Sequence, residues 1–180
     1  MIKMNDVVGI HGGHAVIGSR GAKGYLDEVK RDRALARLVT KELKMRGYNA
    51  VNISVKTGST ANIVLRKLKN RSKRNNATHN ISIHLNAGGG NGIEMYPPKT
   101  YNGSACRQFL KNFCKMTGFT NRGIKTPGKW YVNRQLADCY LIEVGFVDSL
   151  IDKKIYKKCG NKYIAKALAE CLCSTILKID

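Results

Sequence analysis

Residues 80–96, NISIHLNAGGGNGIEMY, decide how the rest of the chain is read. Ile81, Ile83 and Leu85 fall on one parity and Ser82, His84 and Asn86 on the other, the alternation of a strand whose two faces meet different surroundings. Gly88, Gly89 and Gly90 come next and cannot continue a strand cheaply, so the backbone is free to turn just past His84 and Asn86. Two polar side chains are thereby set at the carboxyl end of an apolar strand, beside a flexible loop, where ligands sit in open α/β sheets. Taken alone, His84 reads more simply as a satisfied imidazole tucked under that loop. Its meaning depends on what the remaining elements bring to it.

Upstream, residues 6–10 (DVVGI) read as a buried strand that stops at HGGHAVIGSRGAKGY, a loop carrying five glycines and two of the four histidines, His11 and His14. Such a loop crowds readily around a small object, although a merely flexible connection explains it equally. Residues 28–46 form a helix by the stripe Leu35, Leu38, Val39 and Leu43, with Gly47 as its stop. Run back seven residues, the stripe reaches Glu28, a carboxylate on the core-facing side of the first turn. A capping or helix-dipole role for Asp27 and Glu28 accounts for this too. Residues 48–55 alternate as a second strand. Ser59 then caps a helix to about Asn75, whose RKLKNRSKR run lies on the far side from Ile63, Leu65 and Leu68.

Downstream, residues 92–96 make a short strand closed by Pro97 and Pro98, with Glu94 facing solvent or a groove rim. Residues 104–117 form an amphipathic helix ended by Gly118. Residues 119–133 (FTNRGIKTPGKWYVN) read as a loop leading into a strand. In it Arg122, Lys125, Lys129 and Trp130 form an aromatic-plus-cation cluster able to line a sugar or peptide groove. Residues 139–147 (CYLIEVGFV) put Tyr140, Ile142, Val144 and Phe146 on one face and Glu143 on the other. A carboxylate in mid-strand costs several kcal/mol if charged and unpaired, so Glu143 must be protonated, paired or beside a cation, the signature of a functional site. Asp148 is placed to cap a short helix and residues 163–177 form a last amphipathic one. His79 reads as a surface residue.

Strands alternate with helices throughout. The expectation is therefore one α/β domain over residues 1–180, with a central twisted, largely parallel mixed sheet flanked by helices. The chain has 180 residues, 43% of them hydrophobic, and 32 Lys plus Arg against 12 Asp plus Glu give a net charge of +20. That excess points to a polyanionic partner. With 7% aromatic residues and no zinc-finger or RNA-recognition signature, nucleic acid is not the expected one. Six cysteines without paired CxxC spacing read as reduced and structural. No stretch is long enough for a signal-peptide core or a membrane span, so cytoplasmic residence without membrane insertion is expected.

Two imidazoles and a carboxylate, with one position left for water, make a catalytic zinc set, and a further carboxylate supplies the general base such sites use. His14, Glu28, His84 and Glu143 have those identities. The ordered blocks GIHGGH, GAKG, LDE, SIHLNAGGGNGIEMY, GFTNRG and LIEVGFVD resemble the zinc-dependent N-acetylmuramoyl-L-alanine amidases, in particular the catalytic domains of phage endolysins from Gram-positive, clostridial-like hosts. The resemblance covers most of the chain, from about Val7 to Asp152. It implies that His14, Glu28 and His84 hold one Zn²⁺ and that Glu143 is the catalytic acid/base. Here GGHA replaces the commoner GHGG, which leaves His11 as a rival ligand; His14 is preferred because its distance to GAKG and Glu28 fits the family better.

The implied reaction cleaves the amide between the lactyl group of N-acetylmuramic acid and L-alanine in peptidoglycan, by a monomer that acts on the wall after release from the producing cell. Asn86, Arg122, Lys125 and the amides near Gly88 are the expected substrate contacts, and anionic wall polymers are a second expected partner. The alternatives are a zinc endopeptidase acting within the wall peptide and a non-catalytic basic wall-binding module.

Overall fold

The computed structural model describes residues 2–3 and 5–179. Among them the chain runs β1 (Val7–Gly12), β2 (Ile17–Gly18), α1 (Glu28–Met45), β3 (Asn49–Asn52), β4 (Thr57–Gly58), α2 (Ala61–Arg74) and β5 (Ala77–Asn86). It continues through β6 (Ile93–Tyr96), α3 (Gly103–Thr117), β7 (Asn121–Ile124), α4 (Tyr131–Gln135), β8 (Cys139–Phe146) and α5 (Leu150–Ser174). The main sheet has the order β3-β1-β5-β8-β6-β7, while β2 and β4 pair in a small ribbon of their own. The first four strands of that order are parallel; β6 runs antiparallel to β8, and β7 is parallel to β6. The mixed, largely parallel sheet expected from the sequence is therefore observed.

Strand parity decides the two layers. Ile81, Ile83 and Leu85 of β5 pack with Val8, Ile10, Tyr140, Ile142 and Val144 against α1, α3 and α5, in a core that also takes in Leu35, Phe109, Phe113 and Leu168. Ser82, His84 and Asn86 face the other way, where α2 and α4 cover only part of the sheet. Smaller apolar groups fill that side: Val55, Val64 and Leu68 under α2, and Val132, Leu136 and Leu141 under α4. The gap between them is where the polar face of β5 is exposed to a cleft.

Several local expectations are corrected. The second strand pairs only over β3, because the Asn52 side chain turns back to accept from the Ser54 amide at 2.9 Å and ends the ladder. Thr60, not Ser59, caps α2. Residues 119–133 hold the edge strand β7 and the short helix α4 instead of a loop running into a strand, and Asn133 pins α4 by donating to the carbonyls of Tyr96 and Cys139 at 2.9 and 2.7 Å. Ser149 caps α5, which incorporates both expected C-terminal helices and is broken at Gly160 by a φ of 68°. The cysteines are free. No helix among the described residues is long and apolar enough to cross a membrane.

Candidate metal centre and its cleft

Three elements deliver the central side chains. His84 stands two residues from the end of β5, on the face away from the main core. Glu28 opens α1, whose buried stripe of Leu35, Val39 and Leu43 continues backwards into Asp32 and Glu28; Asp27 caps the helix by accepting from Lys30. His14 lies just past β1, held by its amide donating to Asp32 at 3.3 Å. The Gly13 amide extends the β1 ladder by donating to the Ile83 carbonyl at 3.0 Å. A side chain at Gly13 is impossible without rearrangement, since its Cβ would stand 1.7 Å from Cε1 and 1.9 Å from Nε2 of His84.

His14 Nε2 is 3.2 Å and His84 Nδ1 is 3.1 Å from the same Glu28 oxygen, Oε1. The two rings are edge to face with centroids 5.0 Å apart. Among the described residues these are the three His, Cys, Asp or Glu side chains whose ligand atoms all lie within 4.8 Å of one another. The set fits a tetrahedral zinc ion, because ~2.0 Å bonds to such a metal put neighbouring donors ~3.3 Å apart. Glu28 is buried, which opposes its charge, yet hydrogen bonds from His14 and His84 hold its carboxyl well below the ordinary range. Its other oxygen accepts from the Ala22 amide at 2.7 Å, which fixes which oxygen turns to the histidines. His84 is pushed below its usual value by burial, against the pull of Glu28. His11 is not part of the cluster.

Glu143 is the register partner of His84 across the β5–β8 ladder. It is 7% exposed, and burial, reinforced by the charges of Glu28 and Glu94, pushes its carboxyl well above the usual carboxylate range. Its Oε2 has no hydrogen-bond partner, and the same holds for His11 Nε2 and Ser82 Oγ. All three residues line one cleft of about 520 Å³ together with His14, Glu28 and His84. Its far wall is apolar: Ala61, Val64 and Leu65 of α2, then Trp130, Tyr131 and Val132. Trp130 is 42% exposed, with Tyr96 edge-on at 5.7 Å and the Lys129 ammonium over its ring at 5.1 Å.

The model of the N-acetylmuramoyl-L-alanine amidase family matches residues 8–174. The chain belongs to this amidase family. An uncharacterised protein of Clostridium perfringens is 27% identical over 173 residues, taking in 92% of this chain and 51% of its own. The N-acetylmuramoyl-L-alanine amidase CwlM of Bacillus licheniformis is 28% identical over 127 residues, 67% of this chain and 49% of its own. The chain thus spans about half the length of the curated relatives it matches. The catalytic domain of the CD27L endolysin targeting Clostridia difficile shares the fold, with a TM-score of 0.81 at 24% identity over 95% of this chain and 98% of that one.

Within this amidase domain the expected substrate contacts are distributed differently. Asn86 lines the cleft, but its amide donates to Glu94 at 2.8 Å and its carbonyl oxygen accepts from Ala87 at 2.7 Å. Arg122 and Lys125 are not among the cleft residues; they stand 2.7 and 3.5 Å from Glu94 Oε2. Glu94 itself is buried rather than facing solvent, because these two cations, Asn86 and the Tyr96 hydroxyl enclose it. The Gly88 and Gly89 amides donate to Asp148, which spends them within the loop and takes Asp148 away from helix capping. His79 is half-buried between Asp138 and Asp6 rather than on the surface.

Sequence reasoning missed Asp32, whose carboxyl burial and the Glu28 charge push up to about 8. Its signal was present, one turn beyond Glu28 on the same buried stripe. Ser82 and Tyr131 were missed as cleft residues. Ser82 shares the His84 parity, whereas nothing local announces that Tyr131 lines the same cleft as α2.

Proposed function

We propose that the chain hydrolyses the amide joining the lactyl group of N-acetylmuramic acid to L-alanine in peptidoglycan, as a monomeric catalytic unit of residues 1–180. The observation that carries this reading is the convergence of His14 Nε2, Glu28 Oε1 and His84 Nδ1 beside the buried acid Glu143. These three residues are the proposed ligands of a single Zn²⁺. When bound, the ion supplies Lewis acidity that polarises the scissile carbonyl and makes water a usable nucleophile near neutral pH.

The chain's own groups do the rest. Glu143 takes a proton from the attacking water and returns it to the departing alanine nitrogen; it stands beside His84 across the β5–β8 ladder with its Oε2 committed to no other group. The Ala22 amide keeps Glu28 Oε1 turned toward the two histidines. Val64, Leu65 and Val132 give the opposite side of the cleft an apolar lining against which a substrate can pack. Exposed cations on α2 and α5, among them Arg66, Lys73, Lys153 and Lys157, hold the protein near anionic wall polymers once the producing cell's membrane is breached.

Digestion of purified peptidoglycan tests the assignment. New amino-terminal alanine on freed stem peptides is expected; other new termini would instead assign the site to a wall endopeptidase. Chelation is expected to abolish release and Zn²⁺ to restore it. Glu143→Gln is expected to bind walls and metal but to lose about 10²–10⁴-fold in turnover. Full activity in that variant, or in metal-free protein, refutes the mechanism.

A further inference from the structure

Of the three proposed ligands, Glu28 belongs to a helix and His84 to a strand, while His14 lies in a bend just past β1 that no regular element holds. Its backbone is bonded instead by two side chains of α1. The His14 N–H donates to Asp32 Oδ2 at 3.3 Å, and its carbonyl oxygen accepts from Arg33 Nη1 at 3.5 Å. Resting on the metal site proposed above, we infer that Asp32 and Arg33 are positioning residues: they tie the His14 backbone to the helix that carries Glu28, so one element sets two of the three donors.

Helix period makes this arrangement available. Glu28 and Asp32 are one turn apart on the buried stripe of α1, so the carboxyl proposed to ligate and the carboxyl that orients project from the same face. Asp32 is fully buried, and β1 leaves room for it: a Cβ at Gly12 would stand 2.8 Å from both Cγ and Oδ1 of Asp32. The carboxyl therefore packs on the backbone two residues ahead of His14. Arg33 also reaches a third segment, its Nη1 donating to the Val55 carbonyl at 2.7 Å. The chain beyond His14 is held to that same segment, with the Val16 amide donating to the Lys56 carbonyl at 3.0 Å.

Such an anchor has a physical purpose. The loop around His14 carries glycines at 12, 13, 18, 21 and 24, and ordering a free loop on metal capture costs conformational entropy. Ligand distances must also be met within about 0.2 Å. A donor already held in place binds more tightly because that cost is met on folding. Groups that orient a ligand without touching the metal typically contribute about 10–100-fold to its affinity. Asp32 Oδ1 has no hydrogen-bond partner, so one acceptor oxygen is all the site uses. Asparagine supplies that oxygen without the charge; leucine, of similar size, supplies none.

The test uses the full chain without substrate. Zn²⁺ affinity, measured by chelator competition, should fall about 10–100-fold in Asp32→Leu and recover most of that loss in Asp32→Asn, with the visible spectrum of the Co²⁺-loaded protein shifting and recovering in parallel. Arg33→Met keeps the apolar stem and removes the donors; its loss should be about two- to tenfold, since its contact with His14 is the longer one. In wild type before zinc is added, the His14 amide should exchange slowly with solvent although it lies outside any strand, and this measurement needs no variant to fold. Wild-type affinity and spectrum in folded Asp32→Leu or Arg33→Met, equal losses in the leucine and asparagine variants, or unprotected exchange at the His14 amide would each overturn the inference. A wild-type chain with no Zn²⁺ affinity overturns the metal site as well, whereas the other outcomes leave it standing.

Discussion

Gly13→Ala separates the proposed metal centre from the fold. The added methyl would meet His84 Cε1 at 1.7 Å, where ordinary contact begins at 3.4 Å, so the imidazole must retreat by about as much again as the distance it now has. Metal ligands tolerate displacements of about 0.2 Å, so His84 leaves the donor set. A misplacement of this size costs at least about 100-fold in turnover. No positive φ is recorded at Gly13, so alanine is compatible with its backbone and the change acts on the ring alone. Gly103→Ala serves as the control, because its methyl comes close only to the movable end of Arg107 at 3.2 Å and makes ordinary contact with Tyr101 at 3.7 Å. The assays are Zn²⁺ competition, release of amino-terminal alanine from purified walls, and melting temperature. Gly13→Ala should lose metal affinity and release while Gly103→Ala keeps both. Wild-type zinc affinity in a folded Gly13→Ala protein would refute the reasoning.

Two further outcomes concern sites outside the cleft. His79 Nδ1 is 2.6 Å from Asp138, and that hydrogen bond raises its pKa above the ordinary value. The pair therefore stabilises the fold below the unfolded pKa of histidine and stops doing so as pH rises through the higher folded value. Asp138→Asn, which suits the positive φ at that position, should lower the melting temperature by about 2–4 °C near pH 6, for roughly 1 kcal/mol, and by little near pH 9. A loss independent of pH would show that the charge is irrelevant. On α2, Arg66→Glu, Lys73→Glu and Arg74→Glu together should weaken sedimentation with purified walls by roughly tenfold at low salt, at about 0.5 kcal/mol per exposed charge, and by far less at high salt. An unchanged pellet would make this helix face plain solvated surface.

The legible part of the fold was whatever a strand or helix period carries. The two parities of β5 and β8 separated the core from the cleft, and the stripe of α1, traced backwards, reached Glu28. The proposed metal donors were legible for the same reason, since His84 and Glu28 occupy polar positions that periodicity marks as facing inward. Choosing His14 over His11 needed the resemblance, because loop geometry between β1 and α1 has no period. The polar contacts around Glu94 were illegible. β6 alternates correctly, but the groups lying over its polar side depend on β7 arriving from 28 residues downstream with Arg122. Residues 119–133 were misread since Pro127 and Gly128 announce a turn without specifying whether a helix or a strand lies beyond it. Asp148 was misassigned because a carboxylate before a helix reads as a cap, while here two glycine amides 60 and 59 residues away reach it first.

Trp130 is the sole tryptophan of the sequence, and it sits half-exposed at the mouth of the cleft. The molecule therefore has a built-in optical reporter: any glycan or peptide entering the cleft displaces water from that indole and alters its emission. Occupancy can be titrated in unlabelled Glu143→Gln protein, whose expected slow turnover lets affinity for wall fragments be read before appreciable cutting.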